Sequence, residues 1–175
     1  MPLPDATRDD ERLRALMPRL WRFARSLTGE ASAADDLVQA ALERALRAWD
    51  ARRDDGALQA WLFSILYRRF IDEARRARRW QHLLGLLAAS PPPLAPSPEQ
   101  VHGERAMLAH FAQLPPEHRA VLMLVAVEGF SYQQAADTLG VPIGTVMSRL
   151  SRARERLRAL GEGDSPVTPA LRRIK

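Results

Sequence analysis

The sequence predicts an all-α protein: two small helical domains joined by a proline-rich linker, the second containing a helix-turn-helix. Three observations predict it. Apolar residues recur at helical spacing along most of the 175 residues, whereas no run of alternating β-branched residues marks a strand. Five prolines, Pro91, Pro92, Pro93, Pro96 and Pro98, fall within residues 91–98 and interrupt any helix there. Residues 131–160 spell a short helix, a glycine turn and a longer basic helix.

In chain order, Leu13, Leu16, Met17, Leu20, Phe23, Ala24 and Leu27 predict an amphipathic scaffold helix over about residues 10–27, ended by Thr28-Gly29. Ser32, with Asp35 three residues on, reads as the cap of the next helix, and Asp35 and Asp36 suit its positive end. Leu37, Val38, Ala41, Leu42, Ala45 and Trp49 give this helix a wide apolar half. Its polar row, Asp36, Gln39, Glu43 and Arg47, fits either solvated surface or a protein-docking face. Residues 50–57 are polar, contain Asp55-Gly56 and predict a loop.

A helix over about residues 58–80 follows. Trp61, Leu62, Phe63, Ile65 and Leu66 are apolar nearly all round, so its first turns belong inside. Its last turns carry a cationic ridge in which Arg68, Arg75 and Arg79 align, with Arg69 and Arg76 one strip over and Phe70, Ile71, Ala74 and Ala77 facing away. Such a ridge suits a solvated face or nucleic acid. The domain ranges that follow are 1–80, linker 81–103, second domain 104–163 and a disordered tail 164–175. In the second domain a short helix over residues 104–114 turns Leu108 and Phe111 inward. Pro115-Pro116 then opens a helix over 117–128 whose Val121, Leu122, Leu124, Val125 and Val127 centre the core, and Gly129 closes it.

The helix-turn-helix is specified locally. Ser131 with Gln134 is a capping box, Ala135, Ala136 and Leu139 form a small apolar face, and Gly140 takes the positive φ that ends the helix. On the second helix, at ~100° per residue, Val146, Leu150, Ala153, Leu157 and Leu160 form the buried stripe. Thr145, Ser148, Ser151 and Arg152 occupy the opposite side with Met147 on its shoulder, a face of short hydroxyls and one long guanidinium suited to a DNA groove. Arg149, Arg154, Arg156 and Arg158 project sideways, where phosphates would lie.

Composition bounds the chemistry. Net charge is +5 and Lys175 is the single lysine among 26 basic residues, so nearly all positive charge rests on guanidinium groups that suit phosphate and guanine. The absence of cysteine excludes disulfides, thiolate catalysis and cysteine-ligated zinc. Residues 1–12 are polar and acidic, unlike a signal peptide, and the most apolar run, 83–89, is far short of a membrane span of ~20 residues; a cytoplasmic protein without membrane insertion is expected. His82, His102, His110 and His118 have no metal-ligand spacing, and no nucleophilic triad or phosphate loop occurs. No enzyme, cofactor, metal or small-molecule substrate is therefore expected.

Four blocks then acquire meaning together: ADDLVQAALERALRAW from Ala34, AWLFSILYRRFIDEARR from Ala60, LPPEHR from Leu114, and GFSYQQAADTLGVPIGTVMSRLSRAR from Gly129. In this order they resemble bacterial RNA polymerase sigma factors of the sigma-70 family, extracytoplasmic-function (ECF) group, over about residues 12–160. The resemblance implies a first domain that docks on core RNA polymerase and opens and reads the minus-10 element, and a second that reads the minus-35 element, with an anti-sigma factor as regulator. On that footing Asp36, Leu37, Val38, Gln39 and Glu43 match the polymerase-docking motif. The loop with Asp50, Arg52, Arg53, Asp54, Asp55 and Gly56 matches the pocket for a flipped non-template base, and the helix from Arg68 matches the promoter-duplex surface. The sequence departs from the family where Ala40 replaces a more usual acidic residue and where the linker is proline-heavy. A sigma-mimicking partner-switch protein, which would titrate an anti-sigma factor without binding DNA, is the alternative. Such a mimic has no need of Arg152 or of the ridge from Arg68 to Arg79. A one-component repressor would need a ligand or dimerisation segment that the chain does not show.

Overall fold

The computed structural model describes residues 4–49, 57–85 and 104–163. Among them every element is helical: α1 (Pro4–Thr28), α2 (Ala31–Arg47), α3 (Leu58–Gly85), α4 (Glu104–Ala112), α5 (Pro116–Leu122, continued by a π-helical turn Met123–Val127), α6 (Tyr132–Leu139) and α7 (Ile143–Gly163). The first three pack on one another around Leu20, Phe23, Leu27, Leu37, Phe63 and Leu66, all 2% exposed or less. These are the residues whose 3.6-residue spacing marks them as one face of each helix. The last four pack around Val121, Leu124, Val146, Leu150 and Ala153.

Several boundaries differ from the sequence expectation. Helix α1 starts at Pro4, a turn and a half before Asp10. Ser32 is not a cap: Glu30 holds the extended N-cap conformation without a side-chain cap bond, and Ser32 lies exposed in the first turn of α2. The junction is tied instead by the Thr28 hydroxyl, within 3.1 Å of the Ala24 carbonyl oxygen and 3.0 Å of that of Glu30. Asp35 leaves the helix end to accept a 2.7 Å bond from the Trp21 indole. Helix α2 ends at Arg47, and Trp49 beyond it sets its ring edge-on to Trp61 at 6.0 Å. Helix α3 continues to Gly85, into the segment read as linker. The remainder of that linker and the tail after Gly163 lie outside the described residues.

In the second domain Leu108 is 67% exposed, not inward, while Phe111 is half-buried. The helix after Pro116 widens at Met123, where the Glu128 N–H bonds the Met123 carbonyl at 2.9 Å. This wider turn leaves Val127 56% exposed instead of in the core. Gly129, at φ +73°, then reverses the chain so that the Phe130 N–H reaches the Leu124 carbonyl at 2.9 Å.

The larger difference is that the two domains are packed together. A single buried cluster runs through both, and α1 lies against α5 while α3 lies against α6. Phe63 bridges them, with its ring 5.1 Å from Phe23 in its own domain and 5.6 Å from Phe130 in the other. Sequence periodicity identifies which face of a helix is buried but not which neighbour covers it.

Candidate nucleic-acid interface

The helix-turn-helix is built as its residues dictate. The Ser131 hydroxyl accepts from the Gln134 N–H at 3.1 Å and the Gln134 side chain accepts from the Ser131 N–H at 2.8 Å, the reciprocal capping box. Gly140 ends α6 at φ +66°, with its N–H on the Asp137 carbonyl at 3.3 Å. Such a left-handed residue satisfies orphan carbonyls and turns the chain sharply. Helix α7 starts three residues later and buries Val146, Leu150 and Ala153, with Leu157 and Leu160 half-buried.

The rest of α7 divides into two flanks. Met147, Ser151, Arg154 and Arg158 line a groove with Tyr132 of α6; Met147 is 48% exposed. On the other flank Arg149, Arg152 and Arg156 approach His118 of α5 closely enough to disfavour its charge. Burial is the larger cause of the lowered His118 pKa, and Glu117 opposes the shift. Ser148 is exposed, but its hydroxyl donates to the Thr145 carbonyl at 3.1 Å, while Thr145 itself is half-buried. Ser151, Arg152 and Arg154 are exposed.

Arg149 differs from the sideways phosphate contact expected of it. It is half-buried, one guanidinium nitrogen is enclosed without a partner, and it lies against Tyr67 of α3. Burial raises the Tyr67 pKa and Arg149 holds it back, both by charge and as a hydrogen-bond partner. Arg149 therefore serves the contact between the domains here. On α3, Arg68, Arg75, Arg76 and Arg79 are exposed along the ridge. Arg69 is drawn off it towards α2, where it lines a small groove with Glu43 and Arg47 and pairs with Glu73 at 2.7 Å.

Within the docking motif, Leu37 and Val38 are 1% and 5% exposed, so they hold α2 in the core, and Asp36, Gln39 and Glu43 alone present side chains to solvent. Gln39 donates to Glu43 at 3.3 Å. Beside them runs an apolar groove between α1 and α2, about 410 Å³, lined by Met17, Trp21, Leu42 and Leu46 among others. Trp21 is 37% and Leu46 63% exposed. The sequence reading missed both; the available signal was that each is a large apolar residue off its helix's buried stripe. Asp50, Arg52, Arg53, Asp54, Asp55 and Gly56 lie outside the described residues. Among the described residues no cluster of His, Cys, Asp or Glu is placed to hold a metal, and no helix is long and apolar enough to cross a membrane.

Comparison with known proteins matches both halves. The family described as "Sigma-70, region 4" matches residues 105–157, which hold the helix-turn-helix, and "Sigma2 domain of PhyR" matches residues 13–67. The chain is 42% identical over 163 residues to the ECF RNA polymerase sigma factor EcfG of Rhodopseudomonas palustris, covering 91% of this chain and 87% of that one. It is 40% identical over 146 residues to the ECF RNA polymerase sigma factor SigL of Mycobacterium tuberculosis, covering 79% and 80%. Among solved structures it superposes on the sigma factor RpoE of Bartonella quintana, determined in complex with the anti-sigma factor NepR. That match has a TM-score of 0.74 at 31% identity over 91% of this chain and 100% of that one. With a helix-turn-helix of this geometry, and relatives at 40% identity or more matched over at least 80% of their length, the chain belongs to the ECF RNA polymerase sigma factor family.

Proposed function

We propose that the protein is a sigma factor that binds core RNA polymerase and directs promoter recognition and opening, under the control of an anti-sigma factor, in the cytoplasm and without catalysis of its own. The observation that carries this reading is the capped helix-turn-helix with exposed Ser151, Arg152 and Arg154 on α7, on a chain that also exposes an arginine ridge on α3. Each surface is small, so useful affinity for promoter DNA requires both to be tethered at a fixed span, which polymerase supplies.

The roles assigned here rest on the resemblance of the sequence blocks to the family's motifs and, for the described residues, on their exposure. Asp36, Gln39 and Glu43, with the adjoining groove at Trp21 and Leu46, form the polymerase-docking side. Arg68, Arg75, Arg76 and Arg79 face the duplex near the minus-10 element, and the loop over residues 50–56 receives a flipped base held by groups that replace its lost stacking. Met147, Ser148, Ser151, Arg152 and Arg154 read or flank the minus-35 element, with residues 1–80 and 104–163 acting as the two domains.

The test is promoter-dependent transcription reconstituted with core polymerase. Gln39→Ala combined with Glu43→Arg is expected to abolish transcription through loss of polymerase binding, with helical content unchanged. Arg152→Ala is expected to relax promoter preference by about 1–3 kcal/mol, the worth of a bidentate base contact. Undiminished transcription by the first variant would return the α2 row to ordinary surface. A second reading, the sigma-mimicking partner-switch protein, is favoured by one observation, the match of residues 13–67 to the PhyR sigma2 family. It predicts no transcription from any promoter together with relief of an anti-sigma factor's inhibition.

A further inference from the structure

The two flanks of α7 differ in chemistry. On the flank beside α6, Ile143, Met147, Arg154 and Arg158 fall within about 30° of one direction at ~100° per residue, so this strip is apolar over its first turns and cationic over its last. Ile143, the first residue of the helix, is 39% exposed and Met147, one turn on, is 48% exposed. Tyr132, at the first position of α6 and 36% exposed, lines with Met147 the groove of about 560 Å³ that Ser151, Arg154 and Arg158 continue. The other flank carries Arg149 and Arg156 instead.

An isolated apolar side chain on a surface is ordinary. Here three large ones stand on the part of the helix-turn-helix that meets DNA. A recognition helix enters the major groove with its N-terminal residues on base edges, while the first helix crosses the backbone and other contacts go to phosphates. The strip follows that path, with Ile143 and Met147 leading and the guanidinium groups of Arg154 and Arg158 two and three turns behind. Base edges in the major groove are hydrogen-bond donors and acceptors with one apolar exception, the 5-methyl group of thymine. Met147 set against a donor or acceptor would exclude water and leave that group unpaired. Set against the methyl group, it buries apolar surface on both sides, and its unbranched thioether chain adapts to the fit.

We propose that Met147, with Tyr132 and Ile143 beside it, is a specificity-determining residue that reads the 5-methyl group of one thymine in the minus-35 element. The inference rests on the sigma-factor reading and adds to it the identity of a base. Arg152 suits guanine, and the apolar strip suits thymine on the adjoining side of the helix. Met147 stands off the buried stripe of Val146 and Leu150, so its replacement alters the patch and not the core.

The probe is a duplex promoter library randomised over the minus-35 and minus-10 elements, each member carrying a barcode in its transcript, transcribed by core polymerase with the full chain at subsaturating concentration. Thymine is expected to be preferred at one minus-35 position, on either strand, where Met147→Ala flattens the preference and Met147→Leu keeps it. In the best promoter, uracil at that position removes the methyl group alone and should lower transcription about fourfold, equivalent to about 0.8 kcal/mol. Replacing cytosine by 5-methylcytosine there should raise transcription by a similar factor. Both methyl effects should vanish in Met147→Ala and persist in Arg152→Ala, with helical circular dichroism confirming that each variant is folded. Equal transcription with thymine and uracil in the unmodified chain, or a methyl effect undiminished in Met147→Ala, would overturn the proposal and leave the sigma-factor reading standing. So would a uniform loss over all promoters in Met147→Ala, which would place the patch against a protein surface. No transcription from any member of the library would overturn the sigma-factor reading itself, and the proposal with it.

Discussion

His118 sits on the flank of α5 where burial and the neighbouring Arg149, Arg152 and Arg156 all oppose its protonation, outweighing Glu117. Its folded-state pKa therefore lies below the ordinary value of about 6.5. As pH falls below that value the unfolded chain takes up the proton that the folded chain resists, so stability declines with falling pH and rises with pH through the same window. Urea midpoints measured between pH 5 and pH 7.5 should show this slope, and His118→Gln should flatten it. An unaltered slope in that variant would assign the dependence to other groups. Arg119, one residue on, feels the same push from burial but stays charged. Its pKa is lowered by burial, yet it keeps its place because the Leu27 and Ala112 carbonyls accept its N–H groups. The two neighbours have sequence contexts that look alike; which of them is enclosed depends on α1, far away in the chain.

At the scale of elements, the turn between α6 and α7 is the most local piece of architecture in the molecule. Ser131, Gln134 and Gly140 set it within ten residues, through bonds that need no distant partner. A Cβ on Gly140 would meet no atom within 4 Å, so Gly140→Ala should cost only the strain of its φ of +66°, about 1–2 kcal/mol. Thermal unfolding should register that loss, and a reduced preference for the minus-35 element should accompany it because α7 would be tilted. A stable variant with altered promoter preference would show that the turn aims the helix without supporting the fold. By contrast, the start of α2 is not set by its own residues. Ser32 and Asp35 satisfy the capping pattern, yet Asp35 gains a bond from Trp21 that only the packing of α1 on α2 provides.

On the scale of the whole molecule, cleavage by a protease at low dose should fall within residues 86–103, where the sequence carries five prolines between the two helical domains. The two fragments are expected to co-elute in gel filtration, held by Arg19–Glu128, Arg119–Leu27 and Phe63–Phe130, and to separate once Glu128→Gln is introduced. Separation of the unmodified fragments would show that the linker alone keeps the domains together. Helical class, the buried stripe of most of the helices, the capping box, the hinge glycine and the family itself were legible in the sequence, whereas Leu108 and Val127 were assigned to the core and are exposed. Each depends on residues within a turn or two of one another, or on blocks whose order is visible in one dimension. The closed docking of the domains, the enclosure of Arg149 against Tyr67 and the exposure of Trp21, Leu46 and Leu108 were not. Those were decided by tertiary structure, because periodicity reports that a face must be covered, while the covering partner is selected by shape and charge across a sequence separation of as many as 109 positions, as Arg19 and Glu128 show.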